Sequence, residues 1–279
     1  MSTPTRMYGP TSKAVTYTLL ALLTIVALGP TLWVMVASFE TKTQINTGNS
    51  LIPDPVTFQG YKDVFDQIRL QDYLLNTFLY AAGATIGSLV VGLLAAYPSV
   101  RMTFPLRLSM TAMFSLALAI PIVGLLVPEY YVLFKLGLYD TKIGLILFYV
   151  ALFFPLAFVI LRAYLLRIPP ETEEAALVDG AGYFTLLRRI VVPLSRPALA
   201  TVAIVVFISV WNEFLFALVL APSVGNSNVQ IALSTFKSAF QFNTTGTLAG
   251  ATLVMMVPIA AFLLLQRQVV HGLTAGSSK

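Results

Sequence analysis

EEAALVDGAGYFTLLRRIVVPLSRPAL, residues 173–199, carries three acidic and three basic residues between segments apolar enough to cross a bilayer. Upstream stands RAYLLRIPPET, residues 162–172, in which Pro169-Pro170 stops the preceding helix. Thr172 is placed to cap a new helix whose first turn holds acidic residues, where the helix dipole favours them. Ala175, Ala176, Leu177 and Val178 continue it. Gly180 and Gly182 break it, because glycine accepts the backbone angles of a helix C-terminus. A second helix is predicted from about Tyr183 to Val191, ended by Pro193, and Pro197 opens the next apolar segment. The result is a helix-turn-helix lying on one membrane face. Its small residues (Ala175, Ala176, Gly180, Ala181) permit close approach of another surface. Leu186, Leu187 and Ile190 give it an apolar side, and Arg188 and Arg189 give it charge.

The rest of the chain makes a membrane the right setting. Of 279 residues, 57% are hydrophobic and 10% are charged, where a soluble domain has about a quarter charged. The mean hydropathy is +0.83, so the natural solvent of the chain is lipid. There is no cysteine, which excludes disulfides and thiolate metal sites. The net charge of +5 fits the Lys and Arg excess of cytoplasmic loops better than it fits nucleic acid, since no basic run with interleaved aromatics occurs.

Charge-free runs predict six spans: 14–39, 73–100, 108–128, 143–161, 197–212 continuing past Glu213 to about Leu220, and 238–266. The first is too long for a signal-peptide core and reads as an uncleaved span. Continuous apolarity argues against a β-barrel. Pro30, Pro98, Pro121, Pro128, Pro155 and Pro258 lie in or at the ends of spans, and Gly83 and Gly87 form a GxxxG pair suited to close helix packing. The loops on one side (residues 1–13, 101–107, 162–196 and 267–279) hold eleven of the 17 Lys and Arg, against six on the other. By the positive-inside rule that side is cytoplasmic, with both termini inside. The opposite side has a long loop, 40–72, with a short interfacial helix predicted around Gln59 to Asp66, and a Ser/Asn/Thr/Gly-rich segment, 222–245. Asn243-Thr244-Thr245 matches a glycosylation sequon by chance spacing.

Polar groups at depth are few. Glu213 is the one carboxylate within a span and Glu129 abuts the end of another. Either they cap and pack at the outer boundary, or they line an outer mouth with Tyr130, Tyr131 and Asn212, where aromatic faces and hydrogen-bonding groups suit sugars. His271 is the lone histidine, in the C-terminal tail, so no metal site and no catalytic set is expected. No Gly-x-x-x-x-Gly-Lys-Ser/Thr is present, so the chain alone should bind no ATP.

Glu174-Ala175-Ala176, three residues, Gly180, nine residues, Ile190, one residue, Val192-Pro193 resembles the EAA signature of the permease subunits of bacterial ABC importers. Val192 stands where the signature usually has Leu. Trp211-Asn212-Glu213-Phe214, and Gln266-Arg267 followed by Gly272-Leu273-Thr274-Ala275-Gly276, resemble the carbohydrate branch, and the chain as a whole resembles the smaller six-span maltose-type subunit. The resemblance implies an all-α polytopic membrane protein with six transmembrane helices and a cytoplasmic EAA coupling helix-turn-helix. Residues 1–13 and 267–279 would be cytoplasmic tails about a permease domain, 14–266, whose coupling loop is 167–196. It implies coupling to an ATPase through Glu174, Ala175, Ala176, Asp179, Gly180, Ile190 and Pro193, with Glu174 facing a basic group in a cleft of the ATPase, Gly180 setting the turn and the tail after Arg267 reaching toward the ATPases. The partners implied are a second permease subunit, two ATP-binding subunits that hold ATP and Mg, and an extracytoplasmic sugar-binding protein, at a bacterial cytoplasmic (inner) membrane. A disaccharide, a polyol, an oligosaccharide and glycerol phosphate all fit that scaffold. The alternatives are a self-sufficient ion-coupled secondary transporter, which calls for inverted repeats and midplane charge, and an intramembrane enzyme, which calls for a polar catalytic set at depth.

Overall fold

A computed structural model describes residues 10–48, 52–239 and 244–274, and all regular structure among them is helical. The chain divides into two compact units, Met1–Arg69 with Thr235–Leu253 and Leu70–Ser234 with Val254–Lys279. Residues 1–9 and 275–279 of the expected tails, and Asn243 of the sequon, lie outside the described residues.

In the first unit, α1 (Pro10–Ala37) carries an apolar 18-residue stretch of which nothing is buried within the chain, while Ala37 at its end is buried. An apolar stretch covered by nothing of its own has lipid or another subunit as its solvent. A short helix, α2 (Lys42–Thr47), follows, held by a reciprocal cap: Gln44 N donates to Thr41 Oγ1 at 3.3 Å and Thr41 N donates to Gln44 Oε1 at 2.7 Å. The interfacial helix expected near Gln59 is α3 (Gln59–Ile68). Its Tyr61 packs on Phe39 and Phe58 and shares a 2.7 Å hydrogen bond with Ser38. At Gly60 a Cβ would sit 2.6 Å from the Thr245 carbonyl oxygen, so only glycine allows this approach.

The second unit is built on α4 (Leu70–Arg101). After it come α5 (Arg107–Leu116), α6 (Leu126–Lys135) and α7 (Lys142–Leu165), then the hairpin α8 (Glu171–Val178) and α9 (Tyr183–Leu186), the short α10 (Val192–Leu194), and α11 (Arg196–Trp211), α12 (Leu215–Leu220) and α13 (Val229–Ala239). The last helix, α14, is Thr244–Thr274. The core forms where α4 packs along α7 and α11. The weak GxxxG signal marks that seam. Gly83 faces Ile146, Gly87 faces Val150 and Gly92 faces Ala157, and a Cβ on Gly87 would collide with Val150. Partner numbers rise together, so α4 and α7 run the same way. The chain between them must therefore cross back once.

That crossing is bent. Arg107–Ala119 and Ile122–Lys135 meet at 104°, and Tyr183–Leu194 meets Arg196–Trp211 at 76°. Among the described residues, four helices are long and apolar enough to cross alone, and up to six crossings result when each bent pair counts as one. Several expectations are corrected. The third span is not one helix from 108 to 128: Pro121 forces Ile120 into an extended conformation (ψ 125°), and helix resumes to Lys135. The fifth span stops at Trp211 and does not run to Leu220, because the chain breaks at 212–214 before α12. Segment 222–245 contains helix α13. The cap of α8 is not Thr172, which lies inside the helix. Pro170 precedes its first residue and lends no side-chain bond. The second hairpin helix is α9 plus a π-helical turn, Leu187–Val191, and Pro193 sits within α10.

The seam gives a direct test. Gly87→Ala should lower the melting temperature of the detergent-solubilised chain, at a cost of about 1–3 kcal/mol from overpacking. Val150→Ala added to it should restore part of the loss. Equal stability of Gly87→Ala and wild type in a thermal melt would remove the close α4–α7 contact.

Candidate functional site

Two sites emerge, one at each end of the second unit. At the Arg101 end, α8 turns back at Gly180, whose φ of 83° is left-handed. This is the break the sequence placed there. Along α8 the adjacent acids separate. Glu174 is exposed, while Glu173 is only 4% exposed. Glu173 Oε1 accepts from Arg101 Nε at 2.9 Å, and Oε2 accepts from the Tyr97 hydroxyl at 3.0 Å. Arg101 Nη2 also donates to the Ile168 carbonyl at 2.7 Å, so one guanidinium ties α8 and the turn before it to the end of α4. A charge pair this dry is tolerated because each member is hydrogen-bonded. The returning arm is held too. Leu186 and Val191 are buried, and the Tyr164 hydroxyl donates to the Leu194 carbonyl at 3.2 Å.

What this clamp presents is an unpartnered face. Val178 is 87% exposed, Phe184 77% and Tyr183 61%. Of the residues the sequence singled out, Glu174, Ala175, Asp179 and Gly180 are exposed on this hairpin, Ala176 and Ile190 are half-buried, and Pro193 lies at its return. Sequence reading missed Glu173, Tyr97, Arg101, Val178 and Phe184. For Glu173 the one signal was that the 101–107 and 162–196 loops fall on the same predicted side.

At the Lys142 end, the break at 212–214 is stitched. The Glu213 carboxylate accepts from Phe216 N at 2.7 Å and Ala217 N at 3.0 Å, capping α12, and from the Tyr149 hydroxyl at 2.5 Å. Carbonyls freed by the break are met by side chains: Asn228 Nδ2 donates to Glu213 O at 2.5 Å, and Gln230 Nε2 to Trp211 O at 3.3 Å. The Trp211 indole donates to Val254 O at 3.1 Å. Val254 lies four residues before Pro258, which has no N–H, so the indole replaces the helical bond that the proline deletes. Asn212 is exposed and turned back onto the Ile208 carbonyl. Nearby, Asn76 Nδ2 donates to the Gly225 and Ser227 carbonyls, and the Tyr80 hydroxyl to Asn226 O.

The other proposed lining residues are on α6. Glu129 borders a cavity of about 240 Å³ at the bend of the third span, among apolar residues such as Ile122, Phe148 and Leu152. Tyr130 stacks on Phe134 and meets Tyr131 and Tyr139 edge to face. Phe148, which lines the Glu129 cavity, packs on Phe216, whose amide the Glu213 carboxylate accepts. No cluster of metal-ligating side chains occurs among the described residues.

The family described as binding-protein-dependent transport system inner membrane component matches residues 88–274. The chain belongs to that family. The match runs from the second half of α4 through the hairpin and the stitched break to the last described helix. Relatives extend it over nearly the whole length. The trehalose transport system permease protein SugB of Mycobacterium tuberculosis is 35% identical over 91% of this chain and 93% of its own. The trehalose/maltose transport system permease protein MalG of Thermococcus litoralis is 33% identical over 92% of this chain and 94% of its own. In fold, this permease superposes on a chain of a bacterial ABC transporter that imports the acidic polysaccharide alginate, with a TM-score of 0.80 over 95% of this chain and 99% of that one, at 23% identity.

The two sites of the permease make separable predictions. Glu173→Ala leaves the part-buried Arg101 without its carboxylate partner and should cost about 1–3 kcal/mol. Limited proteolysis of the purified chain should then cut faster within residues 171–182, while Glu174→Ala leaves the rate unchanged. At the other end, Trp211→Phe strands the Val254 carbonyl, at about 1–3 kcal/mol. Replacing Pro258 by Ala restores a helical donor, so Trp211→Phe with Pro258→Ala should melt higher than Trp211→Phe alone. Additive losses in that double-mutant cycle would show that the two residues do not share the carbonyl.

Proposed function

We propose that the chain is the permease subunit of an ATP-driven importer of a sugar or related carbohydrate, forming half of a translocation pathway. The observation that carries the reading is the clamped hairpin: an exposed apolar face with Glu174 at its edge, anchored through Glu173 to the end of a spanning helix. A surface of this kind suits docking into a cleft of another protein, because the partner gains apolar burial and the anchor keeps the hairpin from yielding. The partners proposed are a second permease, different from this one, two ATPase subunits that bind ATP and Mg, and an extracytoplasmic sugar-binding protein. The hairpin and both termini face the cytoplasm. Trehalose and maltose are named for relatives a third identical to this chain, and they support a carbohydrate as cargo.

The roles follow from position. Glu174 meets a basic group of the ATPase, the small Ala175 and Ala176 allow close approach, and Gly180 sets the turn between the arms. ATP-driven closure of the ATPases displaces the hairpin, and α4 and α7 move with it as a body. Glu213 and Glu129 are assigned no cargo contact. The first is fully engaged as a cap and the second faces an apolar cavity, so the polar lining for a sugar falls to the partner permease and to residues at the subunit boundary.

In proteoliposomes holding the whole complex, Glu174→Arg with Gly180→Leu should retain assembly in the membrane and cut binding-protein-dependent uptake at least tenfold. ATP hydrolysis should no longer respond to the loaded binding protein. Unchanged uptake by that double variant would defeat the docking role of the hairpin.

A further inference from the structure

A second cavity lies apart from the hairpin and the stitched break. It has a volume of about 540 Å³ and is lined by Leu106, Arg107, Leu108, Ser109, Thr111 and Arg162, with Phe104. Its cations come from two elements: Arg107 opens α5 and Arg162 lies in the last turn of α7. Arg107 is pinned through Nε to the Ser99 carbonyl at 2.7 Å, and more loosely through Nη1 to Met102 O at 3.4 Å. Donors remain on its guanidinium, which has five. The Arg162 side chain makes no hydrogen bond or ion pair among the described residues, and its Nε is buried without a partner. No carboxylate lines the cavity. Of the acids that open α8, Glu171, Glu173 and Glu174, Glu173 is taken by Arg101 and Tyr97, and none lines the cavity.

A buried guanidinium donor with no acceptor is costly, and an anion in the cavity removes that cost. Two guanidinium groups flanking one space suit the oxygens of a phosphate, which they grip bidentately. The Ser109 hydroxyl adds a further donor. The rim says which phosphate. Leu106 and Leu108 are 72% and 83% exposed beside the arginines, and Met113 and Leu116 continue an exposed apolar track along α5. A free phosphate has no use for that track, whereas a lipid lays its acyl chains on it while its headgroup meets the cations. Basic pockets between spanning helices at a membrane surface bind anionic headgroups for this reason.

We propose that the cavity between Arg107 and Arg162 binds the phosphate headgroup of an anionic phospholipid. The site depends on the chain spanning an inner membrane, and it is independent of the cargo and of the ATPase contact. The bound lipid would neutralise the two arginines and tie the start of α5 to the end of α7, holding the root of the bent third span.

Native mass spectrometry of the complete transporter, purified in detergent and then titrated with phosphatidylglycerol, phosphatidylcholine or inorganic phosphate, tests this. Wild type should carry phosphatidylglycerol through delipidation and bind it about tenfold more tightly than phosphatidylcholine. Arg162→Gln should weaken phosphatidylglycerol binding about tenfold while the thermal melt of the lipid-free protein stays the same. Arg162→Lys, which keeps the charge and loses the fork, should fall between them. Arg162→Gln carries the test alone if Arg107→Gln fails to fold through loss of its bond to Ser99. Equal phosphatidylglycerol retention by wild type and Arg162→Gln would overturn the site. Saturation by millimolar inorganic phosphate, with no preference between the two lipids, would overturn the lipid assignment.

Discussion

Lipid offers the backbone no hydrogen bonds, and that single fact governs where this chain can bend. Every break in a spanning helix frees N–H and C=O groups that water would otherwise serve. The break at 212–214 survives because side chains take over each duty. Glu213 accepts from two amides, and Asn228 and Gln230 donate to two carbonyls. Pro258 strips one more carbonyl in α14, and the Trp211 indole supplies the missing donor. Polar residues in this stretch therefore have a structural duty. They let a helix end inside the unit and a new one start at a different angle.

The same accounting separates Glu173 from Glu174. One carboxylate of the pair is buried and holds two donors, which fixes the rotation of α8 about its axis. With that rotation fixed, Glu174 and Val178 must point away from the unit, since they lie one and five residues further along a 3.6-residue helix. The exposed face is therefore a consequence of the anchor. A looser hairpin would bury Val178 and Phe184 against its own body, where apolar surface prefers to be. Clamping holds them out from the unit.

Much of this was legible in the residues. Charge-free runs found the spans, because a lipid-facing helix tolerates so few ionised groups, and Pro169, Gly180 and Pro197 placed the turns of the hairpin. The bends were not legible. Pro121 looks like Pro30 or Pro155, which α1 and α7 absorb without breaking. What differs is the surrounding packing, which a run of apolar letters does not encode. Glu213 posed a similar difficulty. A carboxylate within an apolar run reads equally as a pathway residue or as a cap, and only the positions of Phe216, Ala217 and Tyr149 decide. The anchor partners of Glu173 stand more than seventy residues away in sequence, at separations of 76 and 72. Periodicity carries no information at that range.

One element joins the two ends. At its last turn α4 holds the hairpin through Tyr97 and Arg101, and near its start Asn76 and Tyr80 hold the loop at 225–227. Lys142 at the head of α7 donates to Asn76 Oδ1 at 2.6 Å, so the parallel neighbour is fastened at the same end. With 32 residues, α4 is about 48 Å long at 1.5 Å per residue. It is seated against α7 by Gly83, Gly87 and Gly92 so closely that the two cannot slide without collision. A displacement applied to α8 thus reaches the far loop as motion of a packed pair of rods. Transmission of that kind needs no chain of rearranging side chains, because bodies packed to interior density move whole or do not move.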